Sequence, residues 1–246
     1  MGKTNFFKRI GEFFSNLFFP EHLTCDFCKG ELDHKTKYRV CSNCQETLPR
    51  PNKICKKCGS EIEEDYEYCL ACRDKQVFYK VARAPFVYGD KIKSAIHNLK
   101  YNNAKFLSVS LGNFMTNTYI EHNFEADIII PVPLTPQRQK MRGYNQSELL
   151  ANQVSRNLSL PTLTNVLVRT KFSHSQTELS FKERYKNLEE CFAVENQELI
   201  KGKKILLIDD VMTTGATVEA CSKLLVQHGA NTVYVLTAAR TTSIRK

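Results

Sequence analysis

No stretch of the 246-residue sequence stays apolar long enough to span a bilayer, which takes about 20 consecutive apolar residues. A helical membrane-spanning protein is therefore not expected. The N-terminal run MGKTNFFKRIGEFFSNLFFP is interrupted by Lys8, Arg9 and Glu12, and no small-residue cleavage site follows it. It does not read as a signal peptide. Phe6 stands where a myristoylation motif needs Ser or Thr. Low-complexity tracts are absent and 42% of residues are hydrophobic, so a packed globular core is expected. What the N-terminus does have is Phe6, Ile10, Phe13, Phe14 and Leu17 at helical spacing. Residues 1–22 are read as an amphipathic segment docked on its own protein. A membrane-surface helix is the alternative.

The formal charge of +9 is unevenly spread. Residues 1–78 hold 13 Lys/Arg against 12 Asp/Glu, whereas residues 79–246 hold 22 against 14. Within the latter, residues 133–187 hold nine basic and three acidic residues. Such an excess attracts phosphates, on a small molecule or on nucleic acid, although a merely soluble basic surface has the same composition.

Eight of the ten cysteines form four Cys-x-x-Cys pairs: Cys25/Cys28, Cys41/Cys44, Cys55/Cys58 and Cys69/Cys72. Two intervening residues let both sulfurs converge on one tetrahedral ion from a tight knuckle. One pair could be a redox motif, but four pairs within 48 residues point to metal. With no export signal, a cytoplasmic, reducing compartment is expected, where thiols persist to bind it. The segments CDFCKGEL and CKKCGSEI are alike, which suggests a duplicated zinc ribbon over residues 23–78. The sites would be Cys25/Cys28/Cys41/Cys44 and Cys55/Cys58/Cys69/Cys72, with an interleaved cross-brace as the alternative. Four thiolates close each Zn²⁺ site, so both are structural and His34 is a bystander. Metal binding would supply folding energy that so small a segment lacks. Cys191 and Cys221 fall outside the pattern and are read as core residues.

Beyond residue 78, strand and helix patterns alternate, which argues for an α/β domain over residues 79–246 built on a parallel sheet flanked by helices. Strands are expected at 79–89, 126–134, 165–170, 203–208 and 231–240, with helices at 92–99, 106–120, 145–158 and 216–228. Residues 171–187 are polar and aperiodic, as in a long functional loop. The stretch ILLIDDVMTTGATVEA, from residue 205, is the most informative. Its apolar residues read as a buried strand, with Asp209 and Asp210 at the carboxyl end, where open α/β sheets bind ligands. Thr213, Thr214, Gly215, Ala216 and Thr217 then form a turn into a helix. Its exposed N–H groups and hydroxyls make a phosphate cradle. A sugar phosphate fits both halves, with the acids reaching ribose hydroxyls directly or through a metal. No Lys follows the glycine as a Walker loop requires.

The span Ile205 to Thr217 resembles the phosphoribosyl-pyrophosphate (PRPP) motif of the type I phosphoribosyltransferases. Together with the four cysteine pairs, PVPLTPQRQKMRGYNQSELLA and HSQTELSFKERYKNLEECF, it makes the chain resemble the ComF/GntX (ComFC-like) family over roughly residues 20–240. That family is associated with natural competence. The resemblance implies a zinc-ribbon N-terminus and a type I phosphoribosyltransferase-like domain that takes PRPP with Mg²⁺. It assigns Asp209 and Asp210 to the ribose hydroxyls and residues 213–217 to the 5′-phosphate. The bend from Pro131 and Val132 to Leu134 would lie at the pyrophosphate, with Arg138 and Arg142 beyond it. Residues 171–187 would close over the site, with Lys171, His174, Gln176 and Arg184 as candidates for contact. No base-recognition element is legible, so a PRPP site with altered or lost catalysis is among the states this resemblance allows. Single-stranded DNA, with Tyr144 and Phe172 as candidate stacking residues, and a competence helicase or other DNA-processing protein are the implied partners. A metabolic phosphoribosyltransferase is the competing reading.

Overall fold

The computed structural model describes residues 24–32, 36, 38–63, 65–74, 76–170 and 190–242. The amphipathic segment 1–22, His34, and the stretch 171–187 with Lys171, Phe172, His174, Gln176 and Arg184 lie outside the described residues. The chain divides into two compact units, Met1–Leu48 and Pro49–Lys246. The division falls between the two halves of the duplicated cysteine segment.

In the first unit the Cys25 knuckle is closed by Cys25 N–H donating to the Gly30 carbonyl and Lys29 N–H donating to that of Cys25, at 2.7 and 2.9 Å. Helix α1 (Ser42–Thr47) starts directly after Cys41 and carries Cys44. The second unit repeats this pattern. Cys55 N–H donates to Ser60 and Gly59 N–H to Cys55, at 2.8 and 3.0 Å, and helix α2 (Leu70–Arg73) starts after Cys69 and carries Cys72. The duplication legible in the cysteine spacing is thus also a duplication of backbone hydrogen bonds.

The second unit is built on a parallel sheet. Its strands are β1 (Val81–Arg83), β2 (Phe86–Val87), β3 (Ile128–Pro131), β6 (Lys204–Met212) and β7 (Thr232–Arg240). The order is β1-β7-β6-β3, with β2 continuing the β1 edge beside β7. The expected strand at 79–89 is split because Pro85 has no N–H to contribute to a ladder. β4 (Leu167–Arg169) and β5 (Phe192–Val194) form a separate antiparallel pair. β6 extends beyond the expected Ile208 and runs through both acids to Met212. Its backbone stays paired with β7 as far as Met212 opposite Arg240, whatever the polarity of its side chains.

Helices α3 (Asp90–Tyr101), α4 (Leu107–Glu121), α6 (Gln146–Leu158) and α7 (Ala216–Gln227) flank the sheet. Ile205, Leu207, Val233 and Val235 share a core with Val218, Cys221 and Leu225 of α7, and with Tyr79, Cys55 and Cys58. Leu206, Ile208 and Leu236 are buried on the opposite face, where α4 and α6 pack together. Cys191 and Cys221 are buried, as expected of core residues. Helix α5 (Pro136–Arg142) was not apparent from periodicity, but its punctuation is in the sequence. Thr135 caps it by accepting from Arg138 N–H, Pro136 opens it and Gly143 closes it in the left-handed region. No helix among the described residues is long and apolar enough to cross a membrane.

Candidate functional site

The candidate site lies at the carboxyl end of β6, beside that of β3, where Pro131 pairs with Ile208. Because β6 continues through the acids, strand alternation sends their side chains to opposite faces of the sheet. Asp209 is on the α7 face, where its charge, after burial itself, pushes the Cys221 thiol upward. Asp210 is on the α3 and α6 face, where its Oδ2 forms an ion pair with Lys100 Nζ. The first turn of α6 serves both acids. Gln146 Nε2 donates to Asp210 Oδ1 at 3.0 Å, and Ser147 Oγ donates to Asp209 Oδ1 at 2.8 Å. Asn145 fixes that turn by capping α6 through Ser147 N–H and donating to the Val132 carbonyl, both at 3.0 Å. Asp210 is buried, whereas Asp209 is only partly so. Desolvation, then the neighbouring Asp210 charge, pushes the Asp209 carboxyl up to about 7.

Arg142 is held in the same network. Its Nη1 donates to Gln146 Oε1 at 2.7 Å and its Nη2 to Tyr101 Oη at 3.0 Å, with the guanidinium 4.7 Å from the Tyr101 ring centroid. On the other face, Arg169 at the end of β4 lies 5.0 Å over Phe192, and the charges of Arg138 and Asp209 both reach it. Arg138 itself is exposed on α5. Tyr144 is core: it is buried, and its hydroxyl donates to the Leu99 carbonyl.

After Met212 the chain turns through Thr213 and Thr214, both exposed, to Gly215, which caps α7 at φ 81°. A Cβ at Gly215 would lie 2.7 Å from Met212 Cε. Gly215 has no side chain to cap α7, and the Thr214 hydroxyl accepts from Ala216 N–H at 3.4 Å. The first-turn N–H groups of Thr217 and Val218 have no intrahelical acceptor, and an anion can use them. At the neighbouring bend Pro131 has no N–H, and Val132 N–H already donates to the Ile208 carbonyl at 2.8 Å. These two residues shape the bend and supply no donor to a ligand. The fold therefore gathers Asp209, Asp210, Arg142, Pro131, Val132 and residues 213–217 at the carboxyl end of the sheet, while Arg184 lies outside the described residues. Within GYNQSELLA, Asn145 is a legible helix cap, whereas nothing local marks Gln146 and Ser147 as partners of the acids. Lys100 and Tyr101 end an amphipathic helix, and nothing local marks them as belonging to a site.

The eight paired cysteines form two consecutive quartets, Cys25/Cys28/Cys41/Cys44 and Cys55/Cys58/Cys69/Cys72, each with its sulfurs within 4.8 Å of one another. This is the ribbon arrangement and not the cross-brace. Cys28 and Cys41, and Cys58 and Cys69, have sulfurs 3.6 Å apart. That is well beyond a disulfide and close to the edge of a ZnS₄ tetrahedron. Four convergent thiolates are the donor set of structural zinc. Among the described residues, no third metal-ligating side chain joins Asp209 and Asp210. The second quartet is keyed into the sheet. Arg240, at the end of β7, donates from Nη2 to Cys58 Sγ at 3.2 Å. The Cys58 thiol is lowered to about 5, chiefly by the Cys72 hydrogen bond and also by the Arg240 charge. Arg83 Nη2 donates to the Lys56 carbonyl at 3.0 Å, and Ala82 N–H to that of Lys57 at 2.9 Å.

Residues 14–73 match the double zinc ribbon domain and residues 145–245 the phosphoribosyl transferase domain. Competence protein F of Haemophilus influenzae is 33% identical over 223 residues, covering 88% of this chain and 96% of that protein. DNA utilization protein YhgH of Escherichia coli K12 is 28% identical, covering 82% of this chain and 90% of that protein. Competence protein ComFC of Bacillus subtilis is 26% identical, covering 84% and 90%. With an α/β phosphoribosyltransferase-like domain, two four-cysteine zinc ribbons and a relative this similar over almost its whole length, the chain belongs to the ComF (ComFC-like) family.

Proposed function

We propose that this chain binds PRPP at the carboxyl end of β6 and acts in DNA uptake during natural transformation. The observation that carries the first part is the junction of two unlike half-sites on one turn. The amides and hydroxyls of residues 213–217 take the 5′-phosphate, and Asp209 and Asp210 form the acidic end where the ribose hydroxyls are held. Arg142 neutralises the pyrophosphate beside the bend at Pro131 and Val132, and Arg184 is the second cation assigned to it. With PRPP bound, Asp209 and Asp210 are the carboxylates that would hold Mg²⁺, and the ion would offset the negative charge of the pyrophosphate. The second part is supported by relatives bearing the names competence protein F and DNA utilization protein. Exposed Arg138 and Lys140 on α5 add cations suited to a single-stranded DNA backbone. The zinc ribbons hold a partner such as a competence helicase, and the protein works in the cytoplasm.

Isothermal titration with PRPP and Mg²⁺ tests the site. The wild type binds, and Asp209→Ala with Asp210→Ala does not; wild-type protein that takes up no PRPP refutes the site. For the pathway, a deletion strain loses transformability. Normal transformation combined with a lost purine or pyrimidine salvage phenotype makes the protein a metabolic phosphoribosyltransferase instead. Filter binding of single-stranded DNA across a salt series reports direct contact, expected to weaken steeply as salt rises.

A further inference from the structure

We propose that single-stranded DNA binds on one surface made by α3 and α5, where its bases stack on Tyr101 and His97 and its phosphates meet Lys93, Lys105 and Lys140. This rests on the DNA-uptake reading above and gives that partner a place on the fold.

Helix α3 buries Ile92, Ala95, Ile96 and Leu99 and leaves Lys93, His97 and Tyr101 exposed. Spaced by four residues, these three lie in one row along its outer face. The His97 and Tyr101 rings are 4.8 Å apart, and Tyr101 is 55% exposed. An open groove of about 820 Å³, lined by Tyr88, Asp90, Lys93, Ser94 and His97, continues the row toward the start of α3. At the other end α5 closes in. Arg142 donates to the Tyr101 hydroxyl at 3.0 Å, with its guanidinium 4.7 Å from the ring centroid. Tyr144 donates to the Leu99 carbonyl, and Lys105 Nζ lies 4.8 Å over the Tyr144 ring. These contacts join α3, the turn after it and α5 into one surface, with Lys140 and Met141 exposed beside Arg142.

The charge of this surface identifies its occupant. Residues 91–120 and 128–147 contain no Asp or Glu, and hold four and three Lys or Arg respectively. Asp90 stands at the far end of the groove, and Asp210 is buried against Lys100. Cations alone suit any polyanion. Cations beside exposed rings suit one whose flat bases are free to stack, which a single strand offers and a duplex does not. An acidic protein would use the lysines and leave the rings without a counterpart. Tyr144, expected from the sequence to stack, is in the core, and Tyr101 is the ring that the fold leaves outside.

The test is fluorescence anisotropy on the full zinc-loaded chain across a salt series. The probes are a labelled oligo-thymidine strand of roughly twelve nucleotides, a DNA duplex of that length and an oligo-uridine strand. Tyr101→Ala is expected to weaken the DNA strand about five- to a hundredfold, the loss of one base–aromatic stack, with the salt slope unchanged. Tyr101→Phe keeps the ring, drops the hydroxyl that Arg142 uses, and stays within about twofold of wild type. If Tyr101 served only to hold Arg142, Phe would cost as much as Ala, and that result overturns the proposal. His97→Ala, which leaves Arg142 untouched, weakens the strand in the same sense. Lys93→Gln with Lys140→Gln flattens the slope of log affinity against log salt by about 1.4, roughly 0.7 for each lost contact, and leaves PRPP titration unchanged. The duplex binds more weakly and ignores Tyr101→Ala. Equal binding of duplex and single strand, tighter binding of the RNA strand, or wild-type affinity in Tyr101→Ala also overturns the proposal. If the wild type binds the DNA strand while no variant alters it, only this surface falls. If the wild type binds no strand at low salt, the reading of direct DNA contact falls with it, and PRPP titration still scores the sugar-phosphate site by itself.

Discussion

Gly59→Ala tests whether the second zinc ribbon is part of the phosphoribosyltransferase-like core. Gly59 follows Cys58 in the zinc knuckle with φ at +69°. Its counterpart in the first ribbon is Lys29, at φ +63°. The knuckle therefore accepts a side chain in this left-handed conformation, at a backbone cost of about 1–2 kcal/mol. What makes the second position different is its neighbour. A Cβ on Gly59 would lie 2.6 Å from the Ala82 carbonyl oxygen. That oxygen belongs to the backbone of β1, whose Ala82 is fully buried and paired with Val235 of β7, so it cannot swing aside. Overpacking of this kind adds about 1–3 kcal/mol, for a total of roughly 2–5 kcal/mol. In a unit of this size that corresponds to a fall in melting temperature of roughly 5–15 °C. The assays are thermal melting and chelator-driven zinc release followed colorimetrically. Zinc should leave the second quartet faster, with the first unaffected. The control Lys29→Gly relieves strain and should melt no lower than wild type. A Gly59→Ala protein that melts within about 1 °C of wild type and retains both zinc ions would refute the docking argument.

Three further outcomes are expected. Asp209→Asn stabilises the ligand-free protein, and more so at pH 8 than at pH 5. The folded carboxyl, raised to about 7, carries a burial cost that is full above that pH and relieved as pH falls toward the unfolded value. The bound is roughly 4 kcal/mol at about 1.4 per unit, read by melting across pH; a gain that is larger at pH 5 contradicts the sign. Gly215→Ala costs only about 1–2 kcal/mol of stability, since the clashing Met212 Cε is the end of a flexible chain, but it displaces the α7 amides. PRPP affinity in titration should fall about tenfold or more, and unchanged affinity would remove the cradle from the site. Arg240→Met leaves Cys58 without its charged donor, and competition with a chelator should show earlier loss of one zinc of the two. Equal loss from both quartets would count against that role.

Features set by short spacing were legible in the chain alone. Two residues between cysteines make a chelating knuckle wherever it sits, so the eight ligands and even their pairing into repeats could be read. The turn from Thr213 to Thr217 follows from Gly215 and the hydroxyls around it. The α/β class follows from alternating apolar periods. Longer-range decisions were not encoded in this way. Whether the strand ends at Ile208 or runs to Met212 depends on pairing with β7, and that pairing places Asp209 and Asp210 on opposite faces. The placement of Lys100 and Tyr101 at the site depends on where α3 ends in space, and the need for glycine at position 59 depends on a carbonyl of β1. Local chemistry is dictated by neighbours along the chain. The partner of a buried charge, or the backbone that forbids a methyl group, is chosen by packing between segments far apart in sequence, and that only the folded structure decided.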